Sequence, residues 1–323
     1  MYTQLAKVLT TLNTNAIRML IKGGSGSGNF NHSGIPGQVG GSGPGGGTAY
    51  ISSAFASAPI GKSSSAEAKA WRKENQEKYD TDRDFKTVAD TVTLYTQGNY
   101  NSIRAFSEYA ATEQLSEEYS NSIYSKHIED NFSMSAMKSP MADSKSFFEG
   151  QKFDSESLST ISSLEASALL QSAISDSSPL DYPIYRGGQG WTDADRIPEV
   201  GEEFDIVGTS SFTADKDTAD SFAEGRAKGQ NIKIDRARFA ATYKIKAGAR
   251  GLNASALSPY DQKEIITSGK FKVTSVTKTK DAWNARRTVS IPKYEIELEH
   301  TATWKIDVAK FRNKKITTSY KRV

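Results

Sequence analysis

Between Gly23 and Gly47 the chain reads GGSGSGNFNHSGIPGQVGGSGPGGG, and twelve of these 25 residues are glycine, about half of all the glycine in the protein. Such a tract has almost no apolar side chains to bury and the most backbone entropy to lose, so it cannot join a packed core. A folded body has to lie after it. Ahead of it, residues 2–21 place Leu5, Val8, Leu9, Leu12, Ile17, Leu20 and Ile21 near helical spacing, the pattern of an amphipathic helix. That stretch has neither a continuous apolar run nor a small-residue cleavage site, so it does not read as a secretory signal. The expected organisation is a helix over 1–22, a Gly/Ser-rich flexible linker over 23–63, a folded domain over 64–304 and a basic, solvated tail over 305–323.

Within the folded part the period of the apolar residues changes. Residues 64–84 are a charged helical stretch, and helical patterning continues to about 175. From 180 to 304 short apolar runs bounded by turn residues predict strands, interrupted by one helix near 217–226. Helices first and strands afterwards define an α+β fold class. A hydrophobic content of 37% is low for a wholly globular chain and agrees with a linker fraction, while a net charge of +3 selects no particular partner. With no cysteine there are no disulfides, zinc–thiolate sites or thiol nucleophiles. The three histidines, His32, His127 and His300, lie far apart and show no metal-ligand spacing, so no metal is expected. No apolar run approaches the length of a membrane span.

Three segments carry the chemistry. In Asp181–Trp191, DYPIYRGGQGW, a strand delivers Arg186 to its exit, and Gly187 and Gly188 leave room for close approach to the backbone. Arginine is the side chain suited to bidentate grip on phosphate. In Phe204–Ala223 a strand runs into the hydroxyls Thr209, Ser210 and Ser211, then a turn and a helix bearing Ala219, Phe222 and Ala223. In Ser258–Thr267, SPYDQKEIIT, Gln262 and Glu264 stand two apart at the mouth of a strand, which predicts that both face one way while Lys263 faces the other.

Arginine, a hydroxyl triplet and Gln-x-Glu, in that order and each at a strand end, resemble the mono-ADP-ribosyltransferase family. The closest likeness is to its Arg / Ser-Thr-Ser / (Glu or Gln)-x-Glu branch of exoenzyme toxins and T-even phage enzymes. The resemblance spans roughly residues 85–300; Thr91–Tyr109, TVTLYTQGNYNSIRAFSEY, is similar to that branch's opening "Y-T … Y … I-N" helix. The triplet departs from the pattern, since Thr209 and Ser210 exchange the first two hydroxyl types, and Tyr260 lies closer to Gln262 than the family's aromatic does. The resemblance implies two packed β-sheets forming an NAD cleft, and NAD consumed as a substrate. It implies catalytic roles for Arg186, Thr209, Gln262 and Glu264, with Thr209 orienting Glu264 and Ser211 as a second brace. It implies dinucleotide contacts from Arg186, Gly187, Thr209, Ser210, Ser211, Phe222 and Tyr260. Glutamine at 262 disfavours arginine as acceptor and leaves another protein side chain or a nucleic-acid base. The stretch GNFNHSGIPGQVGGS is similar to a cassette of tailed-phage head-associated proteins, which implies virion association through residues 1–60 and action in the virion or the host bacterial cytoplasm. NAD glycohydrolase activity and a non-enzymatic head-associated role are the alternatives.

Two other patterns are set aside. Ala56–Ser63, ASAPIGKS, matches a relaxed phosphate-loop pattern, but Pro59 and small polar residues stand where a buried strand is required. The glycines at 24, 26 and 28 lack the strand–turn–helix setting of a dinucleotide fingerprint.

Overall fold

The computed structural model describes residues 47–96, 100–112, 163–191, 195–227, 234–284 and 288–312. The segment 2–21, expected to be an amphipathic helix, and the stretch GNFNHSGIPGQVGGS lie outside them. Among the described residues six helices come first: α1 (Ala49–Ala56), α2 (Ala66–Glu74), α3 (Gln76–Thr81), α4 (Arg83–Leu94), α5 (Tyr100–Thr112) and α6 (Ser163–Asp176). Then follow β1 (Ile184–Gly190), β2 (Glu203–Thr213), α7 (Lys216–Ala223), β3 (Phe239–Ile245), β4 (Gly251–Asn253) and β5 (Glu264–Lys278). A short β6–β7 pair (Ala282–Trp283, Ser290–Ile291) precedes β8 (Lys293–Ala302). The fold is α+β. Local chemistry sets the helix starts: Ser65 caps α2 through the Ala68 N–H, and Asp82 caps α4 through the Asp84 and Phe85 N–H groups.

The expected two packed sheets are halves of one. Hydrogen bonding runs β2-β1-β3-β8-β5-β4, and β5 pairs again with β2, so five strands close on themselves. All pairings are antiparallel except β3 with β8. Closure removes two exposed strand edges. The interior is filled by Ile184, Phe212, Tyr243, Ile265, Phe271 and Ile296. A second core lies outside the ring, where Phe55, Trp71, Phe85, Val92 and Leu169 pack on Leu252, Leu257 and Ile266.

Two expected boundaries move. The linker does not reach residue 63: α1 buries Ile51 and Phe55 completely, Ala54 O accepts from Trp71 Nε1 at 2.8 Å, and Ala58 O accepts from Asn253 Nδ2 at 2.6 Å. The sequence hid this because α1 is small and follows the glycines directly. Nor is the tail solvated from 305. Phe311 is 6% exposed in the helical core, Ile306 and Val308 pack against it, and Arg312 pairs with Asp84. Three apolar residues among lysines anchor this segment where its charge suggested solvent. The phosphate-loop lookalike at 56–63 follows a helix instead of a strand.

Between Ile206 and Ser210 the register of β2 against β5 shifts. Val207, Gly208 and Thr209 stand against Ser268 alone, which is a β-bulge that frees ladder carbonyls. Side chains from elsewhere satisfy them. Trp304 Nε1 donates to Ile206 O at 3.1 Å, Gln171 Nε2 to Val207 O at 2.9 Å and Arg104 Nε to Thr209 O at 3.1 Å. Gly208 makes the docking possible, since a Cβ there would lie 2.8 Å from Arg104 O.

Candidate active site

The bulge ends where the hydroxyl triplet begins to pair, and strand alternation then splits the triplet between two faces. Ser210 and Phe212 face the ring interior with Arg186. Arg186 Nη1 donates to Ser210 Oγ and to Ser211 O, each at 2.7 Å, and its guanidinium lies 5.9 Å from the centre of the Phe212 ring. Ser211 faces the helices, where its Oγ donates to Glu264 Oε1 at 2.6 Å. Ser258 Oγ, 3.4 Å from Oε2, approaches the other carboxylate oxygen. Arg186 and Glu264 are therefore both bonded to Ser211, one to its carbonyl and one to its hydroxyl.

Glu264 is the first residue of β5 and 6% exposed. Burial pushes its carboxyl above the ordinary glutamate range; hydrogen bonds from Ser211 and Ser258, then the charges of Arg104 and Arg186, oppose that rise. A carboxylate held this way is desolvated and preorganised, the condition under which a fixed charge acts most strongly on a neighbouring one.

The remaining expected residues are placed unevenly. The hydroxyl of Thr209 is buried with no hydrogen-bond partner among the described residues, so the contact expected of it is made by Ser211. The reason is the bulge, which takes Thr209 out of the ladder. Gln262 is not in the strand. Lys263 adopts φ +47°, a left-handed conformation that costs a non-glycine residue about 1 kcal/mol. The alternation that was to align Gln262 with Glu264 is thus broken. Backbone contacts fix the turn instead: Thr213 Oγ1 donates to Gln262 O at 2.6 Å, Ala214 N to Lys263 O at 3.0 Å, and Lys263 Nζ lies 3.1 Å from Asp215 Oδ1.

Gly187 faces α7. A Cβ there would lie 1.9 Å from Ala219 O and 2.4 Å from Ala223 N, so its glycine is required by helix packing, where the sequence suggested room for a ligand. Phe222 is half-buried on the last turn of that helix, and its carbonyl accepts from Gln189 Nε2. Tyr260 is 48% exposed on the turn before β5. No group of acidic and histidine side chains among the described residues has the arrangement of a metal site.

Sequence reasoning missed Ser258, Tyr95 and Arg104. Tyr95 closes α4 and is fully buried. Arg104 Nε donates to its hydroxyl oxygen at 3.2 Å, and that hydroxyl in turn lies 3.4 Å from Thr209 O. One signal was available: Arg104 is the only charged residue between Asp90 and Glu108.

No protein-family model matches the chain, and no curated protein does. Solved structures do. The ADP-ribosyltransferase Vis of Vibrio splendidus, in complex with agmatine, is 11% identical over 78% of this chain and 90% of that one, with a TM-score of 0.39. Plx2a, an ADP-ribosyltransferase toxin from Paenibacillus larvae, is 13% identical over 73% of this chain and 96% of its own, at 0.34. The enzymatic component C2-I of the Clostridium botulinum C2 toxin is 16% identical over 72% of this chain and 47% of its own, at 0.36. Identities this low with TM-scores below 0.5 leave the chemistry to be argued from the site.

Proposed function

We propose that the chain is a mono-ADP-ribosyltransferase that moves ADP-ribose from NAD to a host macromolecule and releases nicotinamide. The observation that supports this reading is the buried carboxylate of Glu264, braced by Ser211 and joined through that serine to Arg186. This donor set suits NAD: a guanidinium for the diphosphate and a desolvated carboxylate for a ribose hydroxyl. Bound NAD supplies the nicotinamide–ribose bond that breaks. Glu264 then stabilises the positive charge that develops on the sugar, as the carboxylates of glycoside hydrolysis do. Ser210 and Ser211 hold the two charged groups in register. Phe222 and Tyr260 border the dinucleotide site, and Gln262 orients the acceptor. With glutamine at 262 the acceptor is a group other than arginine, on protein or nucleic acid. The phage-like cassette supports a phage-encoded enzyme, carried on the virion by the residues before the folded body and acting in the host bacterial cytoplasm.

Labelled NAD incubated with the purified chain and host lysate tests this. Label on a macromolecule is the expected result. Nicotinamide release without labelling would mean a glycohydrolase, and no NAD consumption would leave a structural role. Glu264→Gln keeps the shape and loses the charge, and is expected to lower nicotinamide release at least about a hundredfold while leaving the fold intact. A variant with near-normal turnover would remove Glu264 from the mechanism.

A further inference from the structure

Glu264 is a charge in a place that resists charge. Two serines bond it, yet burying a carboxylate costs more than two neutral hydroxyls return. A cation is needed nearby, and Arg186 bonds Ser210 Oγ and Ser211 O. Among the described residues, Ser211 from β2 and Ser258 from the turn before β5 bond the carboxylate on the helical face, and Arg104 from α5 and Tyr95 from the end of α4 stand at Thr209 O, two residues before Ser211.

We propose that Arg104 is the second cation of the site, a positioning residue that keeps the Glu264 carboxylate ionised in its buried niche while its Nε locks the β2 bulge. Three observations support the assignment. The bond from Arg104 Nε to Thr209 O fixes the guanidinium two residues before Ser211. The Tyr95 hydroxyl accepts from the same Nε at 3.2 Å; burial pushes that hydroxyl above its ordinary value, so it stays neutral and adds no opposing charge. A Cβ at Gly208 would lie 2.8 Å from Arg104 O, so the α5 backbone that carries the arginine is docked directly on β2. Arg104 and Arg186 are both among the charges that favour the ionised form of Glu264. The inference concerns the carboxylate itself, and it bears on catalysis only through the function proposed above.

The rival is a purely structural arginine that satisfies the Thr209 carbonyl. Arg104→Gln separates the two, because glutamine Nε2 lies as many bonds from Cα as arginine Nε. It retains the donor and deletes the charge. Carboxyl-carbon NMR titration of protein labelled at glutamate, with Glu264→Gln to assign the resonance, reads the carboxylate without reference to activity. In Arg104→Gln the Glu264 midpoint is expected to rise by about one pH unit or more, the usual effect of losing a close opposite charge. The acid limb of NAD cleavage is expected to move with it. Arg104→Lys retains the charge and is expected to hold the midpoint within a few tenths of a unit, roughly. An unmoved midpoint in Arg104→Gln overturns the inference, as does an equal displacement in Arg104→Lys, which remains decisive if the glutamine variant fails to fold. A midpoint that moves in a chain that never cleaves NAD upholds the inference and sinks the proposed function instead.

Discussion

Thr209 and Ser211 differ by one methyl and two positions, and the bulge gives them separate fates. Ser211 stands past it, paired with Ile266, and bonds Glu264 at 2.6 Å; Thr209 stands within it, and its hydroxyl bonds nothing among the described residues. A hydrogen bond to a charged group contributes about 1.5–3 kcal/mol, so Ser211→Ala is expected to slow nicotinamide release by roughly ten- to a hundredfold. Thr209→Ala is expected to cost less than about threefold, since no bond is lost. Steady-state rates of the pair check this, and equal losses would return the bracing role to Thr209. Glu264 also carries a linkage consequence. Its folded carboxyl titrates above the ordinary glutamate value, so the native state binds the proton more tightly than the unfolded chain. Stability is fully present below the unfolded pKa of about 4.3 and is lost as pH rises through the folded value. Glu264→Gln is therefore expected to melt at or above the wild-type temperature near neutral pH, with the difference shrinking in acid. A variant that melts lower at neutral pH and recovers in acid would contradict this.

At the scale of elements, α7 rests on β1 through backbone contact. Gly187 allows that approach, Gln189 Nε2 donates to Ala223 O at 2.8 Å, and Lys293 Nζ reaches Asp220 at 2.9 Å and Glu224 at 2.7 Å. Gly187→Ala would set a methyl against backbone atoms that cannot rotate aside. A loss of about 1–3 kcal/mol is expected from overpacking, read by denaturant unfolding, together with reduced turnover because Phe222 moves with the helix. An unchanged midpoint would mean that β1 has room to retreat. In the helical half, Tyr79 on α3 donates to Asp90 on α4 at 2.6 Å, with Lys86 Nζ at 3.6 Å. Burial raises Asp90 to about 6, opposed by Lys86 and the Tyr79 hydroxyl. An unfolded aspartate titrates at about 3.9, so stability is expected to fall as pH rises between these two values. Asp90→Asn keeps the shape and is expected to remove that slope; thermal melts of both proteins across the interval check it. These helices were legible from their patterning. The bulge was not, because it is a mismatch between two strands and neither sequence records it alone.

At the scale of the whole molecule, the folded body runs past both expected limits. A chain starting at residue 47 is expected to keep the wild-type melting temperature and NAD turnover. A chain starting at residue 61 removes Ile51 and Phe55 from the helical core, together with the Ala54 and Ala58 carbonyls that accept from Trp71 and Asn253. Burying side chains of that size contributes about 1.5–3 kcal/mol each, so at least about 3 kcal/mol is expected to be lost. Equal melts for the two truncations would return residues 47–60 to the linker.

The sequence determined the order of the elements, helices before strands, and the three segments that carry Arg186, the hydroxyls and Glu264. Each depends on neighbours within a few residues: a cap, a period, a turn. Tertiary structure alone decided which hydroxyl meets the carboxylate, that β2 and β5 pair to close the sheet, and that Arg104 lies beside a strand 105 residues further along the chain. Those outcomes depend on a register shift of β2 against β5 and on the helix docked over it, and contacts between distant segments leave no period in the sequence.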